Sequence, residues 1–235
     1  RAYFKATSAE GNMMRVESGD YYITWQPTVI KWVDEFGNEE IIATIGDVPG
    51  YVDGNVVTYQ NIFPNTDQEF EITPGKVKDR IFLQLPPSYP FLSGENIDFT
   101  IEGVIEVPSD SSFFVEGVEQ IGDFSTSSAI ELRSASGSTL MFLETPFAYE
   151  STNECAKAPV EYEIAQTGLT TFTFSIKISY TWLLDSSRTY PVVIDPTVTR
   201  TITQDTFVGI DFDTQTNPFI AYSEFSTVSL SLIHI

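Results

Sequence analysis

From residue 171 to residue 182 the chain alternates without a break. Thr171, Thr173, Ser175, Lys177, Ser179 and Thr181 are polar, while Phe172, Phe174, Ile176, Ile178, Tyr180 and Trp182 are apolar. A period of two is what a strand needs when one face lies in a core and the other in water. Shorter β-branched and aromatic runs precede it at residues 21–25, 29–33, 41–45, 56–59, 70–72, 78–85, 99–107, 129–133, 139–143 and 160–165. Turn signals separate them. Gly37, Gly54 (after Asp53), Gly75 (after Pro74) and Gly137 supply the positive φ that tight hairpins require. Helical periodicity of useful length occurs nowhere, although residues 12–17 and 182–186 could each form a single helical turn. The Ser-rich stretches 109–112 and 125–128 read as loops. Many short strands at regular spacing predict an all-β protein, an antiparallel β-sandwich-type module.

The run Tyr190, Pro191, Val192, Val193, Ile194, Asp195, Pro196, Thr197 reads as the closing strand of that module. Each proline fixes φ and lacks an N–H, so residues 192–195 can pair in a sheet but cannot extend it on either side. The texture then turns polar at residues 199–203, and a new apolar pattern begins at Phe207 and Val208. The expected organisation is a sandwich module over residues 1–198, a linker over 199–203, and the first strands of a second β domain over 204–229.

Charge narrows the partners. The 235 residues carry 33 Asp plus Glu against 12 Lys plus Arg, a formal net charge of -21. Nucleic acid is disfavoured because phosphate binding depends on clustered Lys and Arg. Anionic membranes are disfavoured by the same sign. No apolar run reaches the roughly 20 residues that span a bilayer. With Cys155 as the single cysteine, an internal disulfide and a Cys-based zinc site are both impossible. Cys155 lies in a polar, loop-like stretch with no histidine near it to activate a thiolate. The first residue is Arg1, with no basic-then-apolar leader after it, so the expectation is an excised fragment of a longer chain.

Three segments, in order, carry a family resemblance: residues 57–67 (VTYQNIFPNTD), residues 75–83 (GKVKDRIFL), and residues 182–185 (WLLD) leading into residues 190–197 (YPVVIDPT). Together they resemble the β-rich module of large secreted and cell-surface proteins of bacteria and archaea that stands before DNRLRE-type or RHS-repeat domains. The resemblance spans roughly residues 25–198. Asp205, Thr206, Phe207 and Val208 are similar to the first strand of a DNRLRE-type sandwich, a fold allied to carbohydrate-binding modules. The resemblance implies an extracellular or cell-surface location and a modular architecture, and it brings no catalytic residues with it. Residues 230–235 (LSLIHI) resemble the translation of a transposase adapter, which would make them a sequencing tail on a metagenomic fragment. The only histidine, His234, falls within that tail.

Without His234 the usual general base and the commonest metal ligand are gone. No Gly-x-Ser-x-Gly elbow, phosphate loop or Gly-x-Gly-x-x-Gly is present. Glycoside hydrolysis needs only two carboxylates, but Asp34 with Glu35 and Glu39 with Glu40 flank a hairpin turn and read as solvated tips. Calcium is the one cofactor with a candidate site. Asp211 and Asp213 begin an alternation of oxygen donors continued by Asn217, although the turn glycine and the closing acid of a calcium loop are missing. Asp195, placed before Pro196, reads as a turn-former. Trp25, Trp32 and Tyr89 are the candidates for stacking on sugars, with strand parity placing both tryptophans in the core. Lys76 and Lys78 are candidates for an isopeptide crosslink to an Asn or Asp, or else solvated charges beside the Pro74–Gly75 turn.

The expected function is therefore that of a non-catalytic extracellular structural or adhesive module. Its partners would be neighbouring domains of the same polypeptide, with glycans or other surface proteins as possible ligands. The alternatives are an accessory carbohydrate-binding module of a polysaccharide-degrading enzyme and the front of an RHS or toxin-type shell.

Overall fold

The computed structural model of the chain describes residues 1–200 and 219–222, and its architecture is all-β. In chain order the first strands are β1 (Ala2–Lys5), β2 (Met14–Ser18), β3 (Tyr21–Asp34), β4 (Glu39–Thr44), β5 (Gly50–Asp53), β6 (Val56–Phe63), β7 (Thr66–Thr73), β8 (Lys76–Leu83) and β9 (Ile97–Glu106). There follow β10 (Ser111–Val115), β11 (Val118–Glu119), β12 (Phe124–Thr126), β13 (Ile130–Ser134), β14 (Thr139–Leu143), β15 (Phe147–Glu150), β16 (Asn153–Pro159), β17 (Glu161–Gln166) and β18 (Thr171–Ser179). A single helical turn α1 (Tyr180–Leu183) leads to β19 (Val192–Asp195), β20 (Val198–Arg200) and β21 (Phe219–Tyr222).

Two antiparallel sheets result. One runs β12-β17-β18-β9-β3-β2-β1-β21, with β4 also on β3. The other runs β11-β10-β13-β14-β20-β8-β19-β15-β16, and β7, β6 and β5 extend from β8. The alternation in the sequence becomes the core between them. Phe4 of β1 meets Phe70 of β7 with ring centroids 5.1 Å apart, and Phe113 of β10 meets Phe172 of β18 edge-on at 5.1 Å. Phe4, Phe70 and Phe113 are buried and Phe172 partly so, and each fully buried ring contributes about 2 kcal/mol by leaving water. The Tyr162 hydroxyl of β17 donates to the Glu144 carbonyl at 3.1 Å, tying the first sheet to the link between β14 and β15.

Several local expectations change. The runs at 21–25 and 29–33 form one strand, β3, whose Pro27 sits at a register shift against β9, where a missing N–H is tolerated. Residues 14–17, read as part of a helical turn, pair as β2 with β3 because their apolar faces cover the core. The alternating run stops being a strand at Ser179, and Tyr180 and Trp182 belong to α1. Ser111 and Ser112 lie in β10 opposite Ser134 and Arg133, and Ser125 lies in β12 opposite Glu163, so pairing partners override their loop-like composition. Cys155, read as a loop residue, is exposed in β16.

The span read as a linker begins as a strand. Thr199 pairs with Lys76 of β8 and with Phe142 of β14, and the Arg200 N–H donates to the Gly75 carbonyl at 2.7 Å. Phe219–Tyr222, within the span read as the start of a second domain, pairs antiparallel with β1, Ala2 facing Tyr222.

Candidate functional site

Two places collect the side chains that the sequence singled out. The first is the Pro191 to Thr197 segment. Pro191 follows a cis peptide bond, and the Tyr190 hydroxyl donates to the Leu183 carbonyl at 2.8 Å, which fixes the approach to β19. Burial pushes the Tyr190 phenol up to about 12. As the prolines imply, β19 is confined to Val192–Asp195. It does not close an edge, however. β19 pairs with β8 (Val192↔Leu83, Ile194↔Ile81), and β20 continues along the same strand in the same register (Val198↔Val77, Thr199↔Lys76). β7 occupies the whole opposite side of β8. On their outer side β19 pairs with β15 and β20 with β14. Residues 192–200 are thus an interior strand with one interruption.

The continuous register places Asp79 opposite Pro196, at the interruption. Asp79 is 3% exposed, and both its oxygens accept from Gln68 Nε2, at 2.8 and 3.0 Å. Burial drives its pKa well above the usual carboxylate range. The Gln68 bond works against that rise and the nearby Asp195 charge adds to it. Asp195 accepts the Thr197 hydroxyl, and the Thr197 carbonyl accepts the Glu144 N–H at 2.8 Å. The turn expected from the place of Asp195 before Pro196 does not form: the chain stays extended in one register with β8, and the Asp195 side chain instead braces the interruption through Thr197. Glu144 also takes the Lys76 ammonium at 2.8 Å and the Thr199 hydroxyl; these partners outweigh its burial and lower its pKa. Tyr162, fully buried above this group, has its phenol pushed well above the ordinary value by burial and by the Asp79, Asp195 and Glu144 charges. Gln68, Asp79 and Tyr162 are sealed from solvent, while the Lys76 and Glu144 side chains at the edge of the group stay partly exposed.

Lys76 and Lys78 face glutamates. Lys76 contacts Glu144, and Lys78 Nζ lies 3.8 Å from Glu71; among the described residues no hydrogen bond or ion pair joins either lysine to the Asn or Asp of an isopeptide crosslink.

The second place is the end of the sandwich where the connection from Gln84 to Asn96 lies over the β3–β4 hairpin. The carboxylates read as solvated tips hold this region together. Asp34 is 8% exposed and accepts the Phe36 N–H (3.0 Å), the Asn38 N–H (2.8 Å) and Asn38 Nδ2 (2.8 Å). The Asn38 side chain is the foremost cause of its lowered pKa, with the turn N–H groups adding to it. Glu35 accepts its own backbone N–H and those of Glu95 and Asn96, which lowers its pKa. Glu40 accepts the Phe91 N–H at 2.6 Å, and Glu39 pairs with Lys31 at 2.6 Å. Trp32, buried in the core, donates Nε1–H to the Ser88 carbonyl at 3.0 Å.

Of the three aromatic candidates, Trp25 and Trp32 are core residues, as their parity implies, and Tyr89 is 71% exposed. Phe91, at 94% exposure, and Phe36, at 78%, were not singled out in the sequence. The signal for Phe91 was the run Pro86, Pro87, Ser88, Tyr89, Pro90, Phe91, in which prolines stiffen a loop that carries two aromatic rings.

The calcium candidates Asp211 and Asp213 lie outside the described residues. Among the described residues no group of three or more His, Cys, Asp or Glu side chains is placed to hold a metal ion, and no helix is long and apolar enough to cross a membrane. Comparisons with protein-family models, with curated proteins and with solved structures give no match to this chain.

Proposed function

We propose that this chain is a non-catalytic structural module of a large secreted or cell-surface protein, a stiff spacer that bears load between neighbouring domains. The observation that carries the reading is the placement of residues 192–200, held between β8 on one side and β15 and β14 on the other. Antiparallel hydrogen bonds lie perpendicular to the strands. Tension drawn along β20 therefore loads the ladders on both sides together instead of opening them one bond at a time. The Asp195–Thr197 and Glu144–Thr199 contacts pin the interruption, so it does not act as a hinge. The acidic surface fits an exposed, soluble position outside the cell.

Stretching a polyprotein of this chain by atomic force microscopy tests the reading. β21 faces Ala2 at Tyr222, so it unzips first at low force. The main event is then a single high-force rupture that releases roughly 70 nm of chain, at about 3.5 Å per residue. Gradual extension at low force, with no such rupture, would remove the load-bearing role.

A further inference from the structure

We propose that the connection from Gln84 to Asn96 is a binding platform for a neutral polysaccharide, with Tyr89 and Phe91 as the rings that stack on sugar faces. The first ground is that this loop is built. Trp32 holds the Ser88 carbonyl, Glu40 holds the Phe91 N–H, and Glu35 holds the N–H groups of Glu95 and Asn96. Gly94 lies so close to the hairpin that an added Cβ would stand 2.4 Å from the Glu35 carboxylate. Four hydrogen bonds thus tie the loop to β3 and the hairpin, and that pre-organisation reduces the ordering cost that weakens binding by flexible loops.

The second ground is what that fixed backbone displays. Phe91 is 94% exposed and Tyr89 71%, while the core takes up Trp25, Trp32 and Phe99 from the adjoining strands. A rigid loop that keeps two rings in water presents apolar faces without burying them. The hydroxyl-bearing Ser88 and Ser93 and the carboxylate of Glu95 are exposed on the same loop, so hydrogen-bonding groups flank the rings. Ring faces beside hydroxyls and carboxylates match the C–H faces and hydroxyl edges of a pyranose.

The third ground is charge. At a formal net charge of -21 the chain repels uronate- or sulfate-bearing polymers, so among polysaccharides the charge selects against anionic ones and admits uncharged ones.

Affinity electrophoresis of the full chain through gels containing neutral polysaccharides tests this, using cellulose derivatives, xylan, β-glucan, mannan and starch in turn, with alginate as the anionic control. Retardation is expected on at least one neutral polymer and not on alginate. Tyr89→Ala and Phe91→Ala are each expected to weaken it about tenfold, and the double variant to abolish it. Both rings are exposed, so the variants should melt with the wild type, and circular dichroism checks that. Retention is expected to be the same at low and high salt. Free migration on every neutral polymer, retention by alginate, salt-sensitive retention, or a double variant retarded like the wild type would each overturn the proposal. The platform and the spacer role stand or fall separately, since glycan retention says nothing about rupture force.

Discussion

Gly103 of β9 lies directly beneath Trp25 of β3: a Cβ at this position would stand 2.7 Å from the Trp25 ring and 2.3 Å from the Gln26 carbonyl oxygen. Trp25 in turn packs edge-on against Phe174 of β18 at 5.4 Å, so the glycine lets an indole lie across the middle of three strands. The clash with Gln26 and Pro27 is with backbone, which cannot rotate away. Gly103→Ala is therefore expected to cost about 3 kcal/mol, the upper end of overpacking. Chemical denaturation of the purified variant measures it.

Asp79 makes stability depend on pH. Burial holds its folded-state pKa above the unfolded value of about 3.9, so the folded state keeps a proton that the unfolded chain releases. The contribution is fully present below about pH 4 and is lost as pH rises through the folded-state pKa. Asp79→Asn has no proton to lose and can still face Gln68. It is expected to be more stable than the wild type at pH 8 by at least on the order of 1 kcal/mol, with the advantage shrinking towards pH 4. Urea midpoints of both proteins across that range give the comparison.

Arg188 is the keystone of the segment before β19. Its Nη1 lies 2.7 Å from Glu150 Oε1, both side chains being 11% exposed, its Nε donates to the Trp182 carbonyl at 3.1 Å, and its guanidinium lies 3.9 Å over the Trp182 ring. Removing one member of a nearly buried pair leaves the other charge without compensation. Arg188→Ala is expected to lower stability by about 3 kcal/mol, and Arg188→Lys, which keeps the charge but not the planar fork, by about half of that. Thermal melts of the two variants rank the effects.

The sequence disclosed the fold class because period-two alternation and Gly-containing turns are local signals. Thr171 to Ser179 and Thr139 to Leu143 are strands, and Gly37, Gly54, Gly75 and Gly137 all have positive φ. What stayed hidden was pairing. Nothing in Thr199 or Arg200 announces a strand, because what makes them one is β8 and β14, contributed from residues 76–83 and 139–143. Ser111 and Ser112 became strand residues for the same reason. Asp79 looked like one more carboxylate among many, since its burial follows from the continuous pairing of β8 with residues 192–199. At the hairpin, Asp34, Glu35 and Glu40 looked like solvent-facing charges, and only a loop beginning more than forty residues later reveals what Glu35 and Glu40 hold.

Amide hydrogen exchange at Val193, Ile194 and Val198 tests most directly whether residues 192–200 are a locked interior strand. If they are, these amides exchange only through global unfolding, with the same opening free energy as Ile81 in the neighbouring strand. Opening at more than about 2 kcal/mol below that of Ile81 would show the segment detaching while the rest of the sheet stays folded, and would contradict its role as the load-bearing strand.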